Sequence, residues 1–171
     1  MEKKMNNNDI VIRLKYALSI SDPDMMKIFN FGELKVDASR LHQILQKQAP
    51  ETSRDQNLTM RELEQFMNGL IISQRGVKLN ANGESEPLTF DMQKEDDINN
   101  VVMKKLKIAM RYTSEDYQSF FKTAGIKVSN AELSAVLRRT DHRNYRPAGD
   151  RYLRNLLKGM GMEYHTKKLA D

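Results

Sequence analysis

Positive charges at helical spacing are the residues of this sequence most suited to chemistry. Arg151, Arg154 and Lys158 fall within about 60° of one another on a helical wheel. They stand opposite the apolar Leu153, Leu156, Leu157 and Met160. Lys104, Lys107 and Arg111 repeat the arrangement opposite Val102, Leu106 and Met110. Between the stripes, Arg138, Arg139, His142, Arg143 and Arg146 are interleaved with Tyr145 and followed by Tyr152, and the C-terminal end adds Tyr164, His165, Lys167 and Lys168. Guanidinium forks match phosphate geometry and tyrosine rings stack on unpaired bases. The expectation is a nucleic-acid footprint, RNA more than DNA, with Lys104, Lys107, Arg111, Arg139, Arg143, Arg146, Arg151, Arg154 and Lys158 on phosphates and Tyr145 as stacker. The bland alternative is an ordinary solvated helix surface.

Catalytic constellations are thin by comparison. The histidines His42, His142 and His165 have no second ligand at helical spacing, so no metal site is expected. No glycine-rich phosphate loop, nucleophile elbow or dinucleotide fingerprint occurs, and no cofactor is expected. A small enzyme would need His142 and Asp150 to meet in a cleft. Gly159 and Gly161 read as a helix stop.

The elements that position these charges follow from a self-match. At an offset of 92, Leu14, Lys15, Ala17, Asp24, Phe29, Lys35, Val36, Leu41 and Leu45 pair with identical residues, from Leu106 to Leu137, and Asn7 and Asn8 pair with Asn99 and Asn100. Duplication of one unit is the expectation. Each copy reads as four helices. In the first copy they start near Asp9, Ser21, Asp37 and Thr59. Ser21 and Thr113 are placed as caps, with Asp24 and Asp116 in the first turns, and Thr59 with Glu62 and Ser129 with Glu132 as capping boxes. Fourth helices carry Leu63, Phe66, Met67, Leu70 and Ile71 in copy one and Leu153, Leu156, Leu157 and Met160 in copy two, now at an offset of 90. The positions of copy one that match the basic stripes are Arg61, Glu64, Asn68 and Ile12, Lys15, Ser19, so the stripes belong to copy two. The expected fold class is all-α, two tandem copies of a four-helix module: residues 1–76, an acidic linker over 77–97, and a basic copy over 98–171.

Charge divides the same way. Residues 1–98 hold 13 Lys and Arg against 16 Asp and Glu, net −3, and residues 99–171 hold 15 against 7, net +8. Such asymmetry points the basic half toward a polyanion, RNA or DNA, or toward an acidic protein partner. The acidic linker reads as solvated, or as a segment that folds over the basic half and competes with a ligand. A helix-turn-helix over Asp24–Leu45 is disfavoured, because the corresponding Ala131, Glu132, Ser134 and Ala135 would read bases poorly. There is no cysteine and no apolar run of membrane-spanning length. A cytoplasmic protein without membrane contact is expected.

The chain resembles the bacterial YehS-like proteins, which carry two copies of a domain of unknown function numbered 1456. The likeness rests on Asn7-Asn8-Asp9-Ile10, Tyr16-Ala17-Leu18, Phe66-Met67-Asn68-Gly69-Leu70-Ile71, Arg75-Gly76, Ile98-Asn99-Asn100 and Lys104-Lys105-Leu106. It continues through Asp141-His142-Arg143-Asn144 and Gly149-Asp150-Arg151-Tyr152-Leu153-Arg154. Ala148 stands where a cysteine commonly precedes the Gly-Asp pair, and Ile44-Leu45 followed by Gln46-Lys47-Gln48-Ala49 replaces the usual Trp-Leu and acidic run. The resemblance implies an all-helical, cytoplasmic protein and no particular reaction. The rival functional expectation is a protein-interaction adaptor whose groove or basic face receives an acidic segment.

Overall fold

The computed structural model describes residues 4–49 and 52–170, with side chains to residue 166. The side chains of Lys167 and Lys168 therefore lie outside the described part. Among the described residues there are eight α-helices, one 3-10 turn at Glu95–Asp97, and no strand beyond an isolated bridge between Leu79 and Ser85. The helices are α1 (Asn7–Leu18), α2 (Asp22–Phe31), α3 (Ala38–Ile44), α4 (Met60–Arg75), α5 (Ile98–Met110), α6 (Ser114–Thr123), α7 (Asn130–Leu137) and α8 (Asp150–Ala170).

Short polar side chains set the helix starts by satisfying amides that have no partner in the first turn. Asn6, Thr59 and Thr113 form reciprocal capping boxes with Asp9, Glu62 and Asp116. Ser21, Asp37 and Ser129 accept from the amides of Asp24, Arg40 and Glu132. At Ser129 that single bond replaces the expected box, as no return bond from Glu132 accompanies it. Helix α1 starts two residues earlier than its apolar stripe suggests, because Asn6 rather than Asp9 caps it. Ser19 and Arg111, 92 residues apart, end α1 and α5 in the left-handed conformation, at φ 53° and 57°.

One contiguous core takes apolar residues from all eight helices and from Met5, Leu58, Met92 and Ala148 between them. Its pairing pattern is crossed. Helix α2 packs on α4 and α6 on α8, each within its own segment, but α1 packs mainly on α8 and α5 mainly on α4. The first helix of each segment is thus covered by the last helix of the other.

Buried asparagines fasten the loops that precede α4 and α8. Asn8 donates to the Ile44 carbonyl and to Asn57, and Asn7 donates to the Leu58 carbonyl. Asn100 does the same to the Val136 and Arg146 carbonyls, and Asn99 to the Ala148 carbonyl. Each side chain answers carbonyls that burial would otherwise strand.

The expected stop at Gly159 and Gly161 is overturned: α8 runs through both to Ala170. Close approach of backbones explains the glycines. A Cβ on Gly159 would lie 1.7 Å from the Phe120 carbonyl oxygen on α6, and one on Gly69 would lie 1.8 Å from the Ile28 carbonyl oxygen on α2. Gly161 meets only the Ala17 methyl, at 3.3 Å. The entropic cost of a mid-helix glycine, about 1 kcal/mol, is accepted where any side chain would push two helices apart.

The acidic stretch is exposed throughout as far as Pro87, and beyond it Thr89, Asp91 and Gln93 to Asp96 remain exposed while the residues between and after them turn inward. It turns back on itself at Asn80–Gly83 and then crosses the molecule, with Met92 and Asp97 buried and Leu88 and Phe90 half-buried.

Gly69→Ala and Gly159→Ala are each expected to cost about 3 kcal/mol or to prevent folding, because backbone must move, whereas Gly161→Ala is expected to cost less than about 1 kcal/mol. Urea unfolding of the three variants measures the difference; equal losses would disprove the close-approach account.

Candidate functional site

The first site lies where Leu88–Met92 crosses α4 and α5. Lys105 projects from α5 into the interface and is almost fully buried, as is Glu64 opposite it on α4. The Lys105 Nζ lies 3.0 Å from Glu64 Oε2 and donates to Asn68 Oδ1 and to the Thr89 carbonyl at 2.6 Å. Asp91 Oδ2 is 3.8 Å away. Glu64 uses both oxygens on the crossing segment, accepting from the amides of Asp91 and Met92 at 2.6 and 3.0 Å. Arg61, one turn before Glu64, lays its guanidinium 3.9 Å over the Phe90 ring. An extended chain segment is therefore held by backbone amides, a backbone carbonyl, one carboxylate and one aromatic ring.

The second site joins the two segments. Asp150, the first residue of α8, accepts from Arg54 at 2.7 Å, from Asn99 at 2.9 Å and from the Met5 amide at 3.0 Å. Arg54 also donates to Asn99, and its buried Nε has no partner. These residues border a cavity of about 700 Å³ with Lys4, Glu95 and Gly149 on its rim. Partial burial pushes the Asp150 carboxyl up, but the bonds from Asn99, Met5 and Arg54, with the Arg54 charge, outweigh it and hold the carboxyl below its usual range.

The basic residues singled out from the sequence occupy separate places. Lys104 is half-buried in a depression of about 460 Å³ that it shares with Arg139, Asp141 and Asp91. Burial lowers its pKa, Arg139 adds to this, and Asp91, Asp97 and Asp141 oppose it. Lys107 is half-buried one turn on, and Arg111 is the exposed residue that closes α5. In the α7–α8 loop, Arg139 is paired with Asp141 at 2.8 Å on the surface, and Arg143 and Arg146 are exposed. Tyr145 turns its hydroxyl inward, where it is buried without a partner, and burial followed by Asp97 and Asp96 pushes its pKa up. On α8, Arg151 and Lys158 are exposed and Arg154 is half-buried against α1. There it lies near Arg13, whose pKa is lowered by desolvation and by Arg154, with Asp9 offsetting part of the effect.

His142 and Asp150 are engaged elsewhere: exposed His142 accepts from the Asn144 amide through Nδ1, and Asp150 is bonded to Arg54, Asn99 and Met5. His42 lies beside Gln46, and His165 beside the Tyr16 carbonyl. Among the described residues no three His, Asp or Glu side chains converge as metal ligands. No described helix is long and apolar enough to cross a membrane.

Sequence reasoning passed over Lys105, Glu64, Arg54 and Arg13. The signal for the first two was a charge set within an apolar run, as in Met103-Lys104-Lys105-Leu106 and Leu63-Glu64-Gln65-Phe66. Their partnership spans 41 residues of chain and has no local signature.

An all-helical chain with this repeated use of asparagine and glycine defines a class of helical proteins, and the family model described as "Protein of unknown function (DUF1456)" matches it over residues 7–76 and 99–165. The chain belongs to that family. It is similar to the uncharacterized protein YehS of Escherichia coli (strain K12), with 33% identity over 164 residues, 96% of this chain and 99% of YehS. No solved structure matches it.

Two outcomes test the sites. Lys105→Met is expected to cost about 3–5 kcal/mol, because it leaves the Glu64 charge buried without its counter-charge, and adding Glu64→Gln should restore part of the loss, since it removes the charge but leaves one of the Asp91 and Met92 amides facing an NH2 group. Urea titration reads both; a double variant no more stable than the single one would refute the pairing. Because the folded pKa of Asp150 lies below its unfolded value of about 3.9, its carboxylate stabilises the fold above that pH and stops doing so as pH falls through the folded pKa. Asp150→Asn is expected to be less stable at pH 7 and to decline less steeply below about pH 4, measured by thermal melts from pH 7 to 2.

Proposed function

We propose that the protein is a non-catalytic protein-interaction adaptor made of two copies of one four-helix module, residues 1–76 and 98–171, with 77–97 between them. The duplication reading is supported by the 92-residue offset that relates Asn8 to Asn100, Ser19 to Arg111 and Ile44 to Val136 in the same roles. Gly69 and Gly159 have the same role at the offset of 90. Its expected setting is the cytoplasm, in keeping with a chain that has no cysteine.

The observation that carries the adaptor reading is the seat of Leu88–Met92. The surface made by helix four of one copy and helix one of the other holds the segment Leu88-Thr89-Phe90-Asp91-Met92 by two of its amides, one of its carbonyls and its aromatic ring, through specific side chains. A surface with that chemistry is a peptide-recognition device, and here it works within the chain.

A second reading, nucleic-acid binding, draws on Lys104 and Arg139 sharing one depression and on the +8 of residues 99–171. It asks for one continuous basic face with an exposed ring. The α5 stripe adjoins Asp91 and Asp141, the α8 stripe adjoins α1, and the Tyr145 hydroxyl is buried.

Fluorescence anisotropy of labelled single-stranded RNA, duplex RNA and duplex DNA separates the two readings, at low and near-physiological salt. The wild type and an Arg151→Glu, Arg154→Glu, Lys158→Glu triple variant are compared. The adaptor reading expects no micromolar binding to any of the three. Micromolar binding that weakens with salt and vanishes in the triple variant would replace it with the nucleic-acid reading.

A further inference from the structure

The chain leaves α4 at Gly76, where φ is 76°, and runs out into a short hairpin before Leu88 returns to the core. The hairpin closes on itself: Gly83 and Glu86 donate their amides to the carbonyls of Asn80 and Lys78, at 3.0 and 2.7 Å, and Lys78 pairs with Glu86 at 3.7 Å. Between the hairpin and helices α2, α4 and α5 lies a cavity of about 950 Å³. Small-molecule sites usually measure about 300–1,000 Å³ and are lined mainly by apolar side chains. Here the apolar lining comes from Ile71 and Ile72 on α4, Phe31 at the end of α2, Ile108 on α5, and Val77 and Phe90. Phe31, Val77 and Ile108 are 46%, 51% and 49% exposed, so the cavity holds apolar surface that a bound molecule would take out of water.

Charge gives the cavity a direction. Arg75, the last residue of α4, donates through Nη1 to the Ile108 carbonyl at 3.3 Å, and no ion pair among the described residues engages its guanidinium. Glu33 stands near the other end: its carbonyl accepts from Gln65, which precedes Arg75 by ten residues of α4, about 15 Å along the helix axis. That separation exceeds the roughly 8 Å over which charges act on one another at physiological salt, so Glu33 leaves the Arg75 charge in force. Glu86, the other acid of the lining, is matched by Lys78. At an offset of 90 Arg75 corresponds to His165, and at 92 Ile108 corresponds to Tyr16. His165 Nε2 likewise lies 2.8 Å from the Tyr16 carbonyl, but there α8 continues to Ala170 and the two rings stack with centroids 4.7 Å apart. The hairpin, the arginine and the isoleucine border a space where the other half places two rings.

We propose that this cavity is a binding site for an elongated apolar carboxylate, of which a straight acyl chain is the simplest form. The chain lies along Ile71, Ile72 and Phe90 beside the hairpin, and the carboxylate meets the Arg75 guanidinium, whose planar fork suits two carboxylate oxygens. Burial of the chain supplies the affinity, and Arg75 selects an anionic end over a neutral or cationic one. A ligand here requires no partner protein, so the site stands whether or not the adaptor reading does.

The test is calorimetric titration of the full chain with sodium decanoate, and with decanol and decylammonium chloride as chains of equal length bearing a neutral and a positive end. Decanoate is expected to bind at micromolar concentration and decanol about tenfold more weakly. Arg75→Gln should bring decanoate to the level of decanol. Ile108→Glu, which sets an acid beside Arg75, should weaken decanoate about tenfold or more, and Lys122→Glu on the exposed face of α6 should leave it unchanged. Arg75 and Ile108 are both exposed, and circular dichroism checks the fold of each variant. The sequence has no tryptophan, so Phe31→Trp places a single reporter on the cavity, and decanoate should shift its emission to shorter wavelength. Absence of decanoate binding by the wild type overturns the proposal, as does an emission unmoved at saturating decanoate. Binding that neither Arg75→Gln nor Ile108→Glu weakens also overturns it, and so does tighter binding of decylammonium than of decanoate.

Discussion

Lys105 delivers an ammonium into the interface between α4 and α5, where water is excluded, and the surrounding structure answers that charge. Glu64 supplies the counter-charge, Asn68 a side-chain oxygen and Thr89 a backbone carbonyl. A buried cation needs every one of its donors satisfied, so the segment that brings Thr89 must lie where it does, and the Glu64 carboxylate then binds two of that segment's amides. The connection between the two halves is thereby tied to the core through Leu88 and Met92, of which Met92 is buried. The same interaction holds α5 against α4, the helix of the other segment.

The crossed arrangement follows from this and from its counterpart. With α1 covered by α8 and α5 by α4, neither segment buries its own first helix, so the two halves depend on each other for apolar cover. The Arg54–Asp150–Asn99 cluster, reinforced by the Met5 amide, adds a polar clamp at the place where the start of α8, the start of α5 and the loop before α4 meet. Close helix contact completes the arrangement. Gly69 and Gly159 let α4 and α8 touch the carbonyls of α2 and α6, which fixes the outer helices against the central four.

Electrostatics distinguish the two interfaces while packing does not. Where α4 meets α5, cation and anion are matched and a peptide is bound in place. Where α8 meets α1, the corresponding positions are all basic.

Helix existence, apolar stripes and caps were legible from local sequence, because a cap side chain bonds an amide three residues away and a stripe repeats every three to four residues. The correspondence between Asn8 and Asn100 was legible as well, since it is a matter of residue identity. The extent of α8 was not, because a glycine within a helix and a glycine that stops one look alike until the carbonyl of Phe120 is seen pressing on it. Nor was the α1–α8 pairing, which brings Arg13 near Arg154. By itself the sequence determined which segments are helical, where they start and where the charge lies along the chain. Only the tertiary structure decided which helices share an interface and whether a charge there is matched, because those depend on contacts between residues far apart in sequence, set by which apolar faces cover one another best.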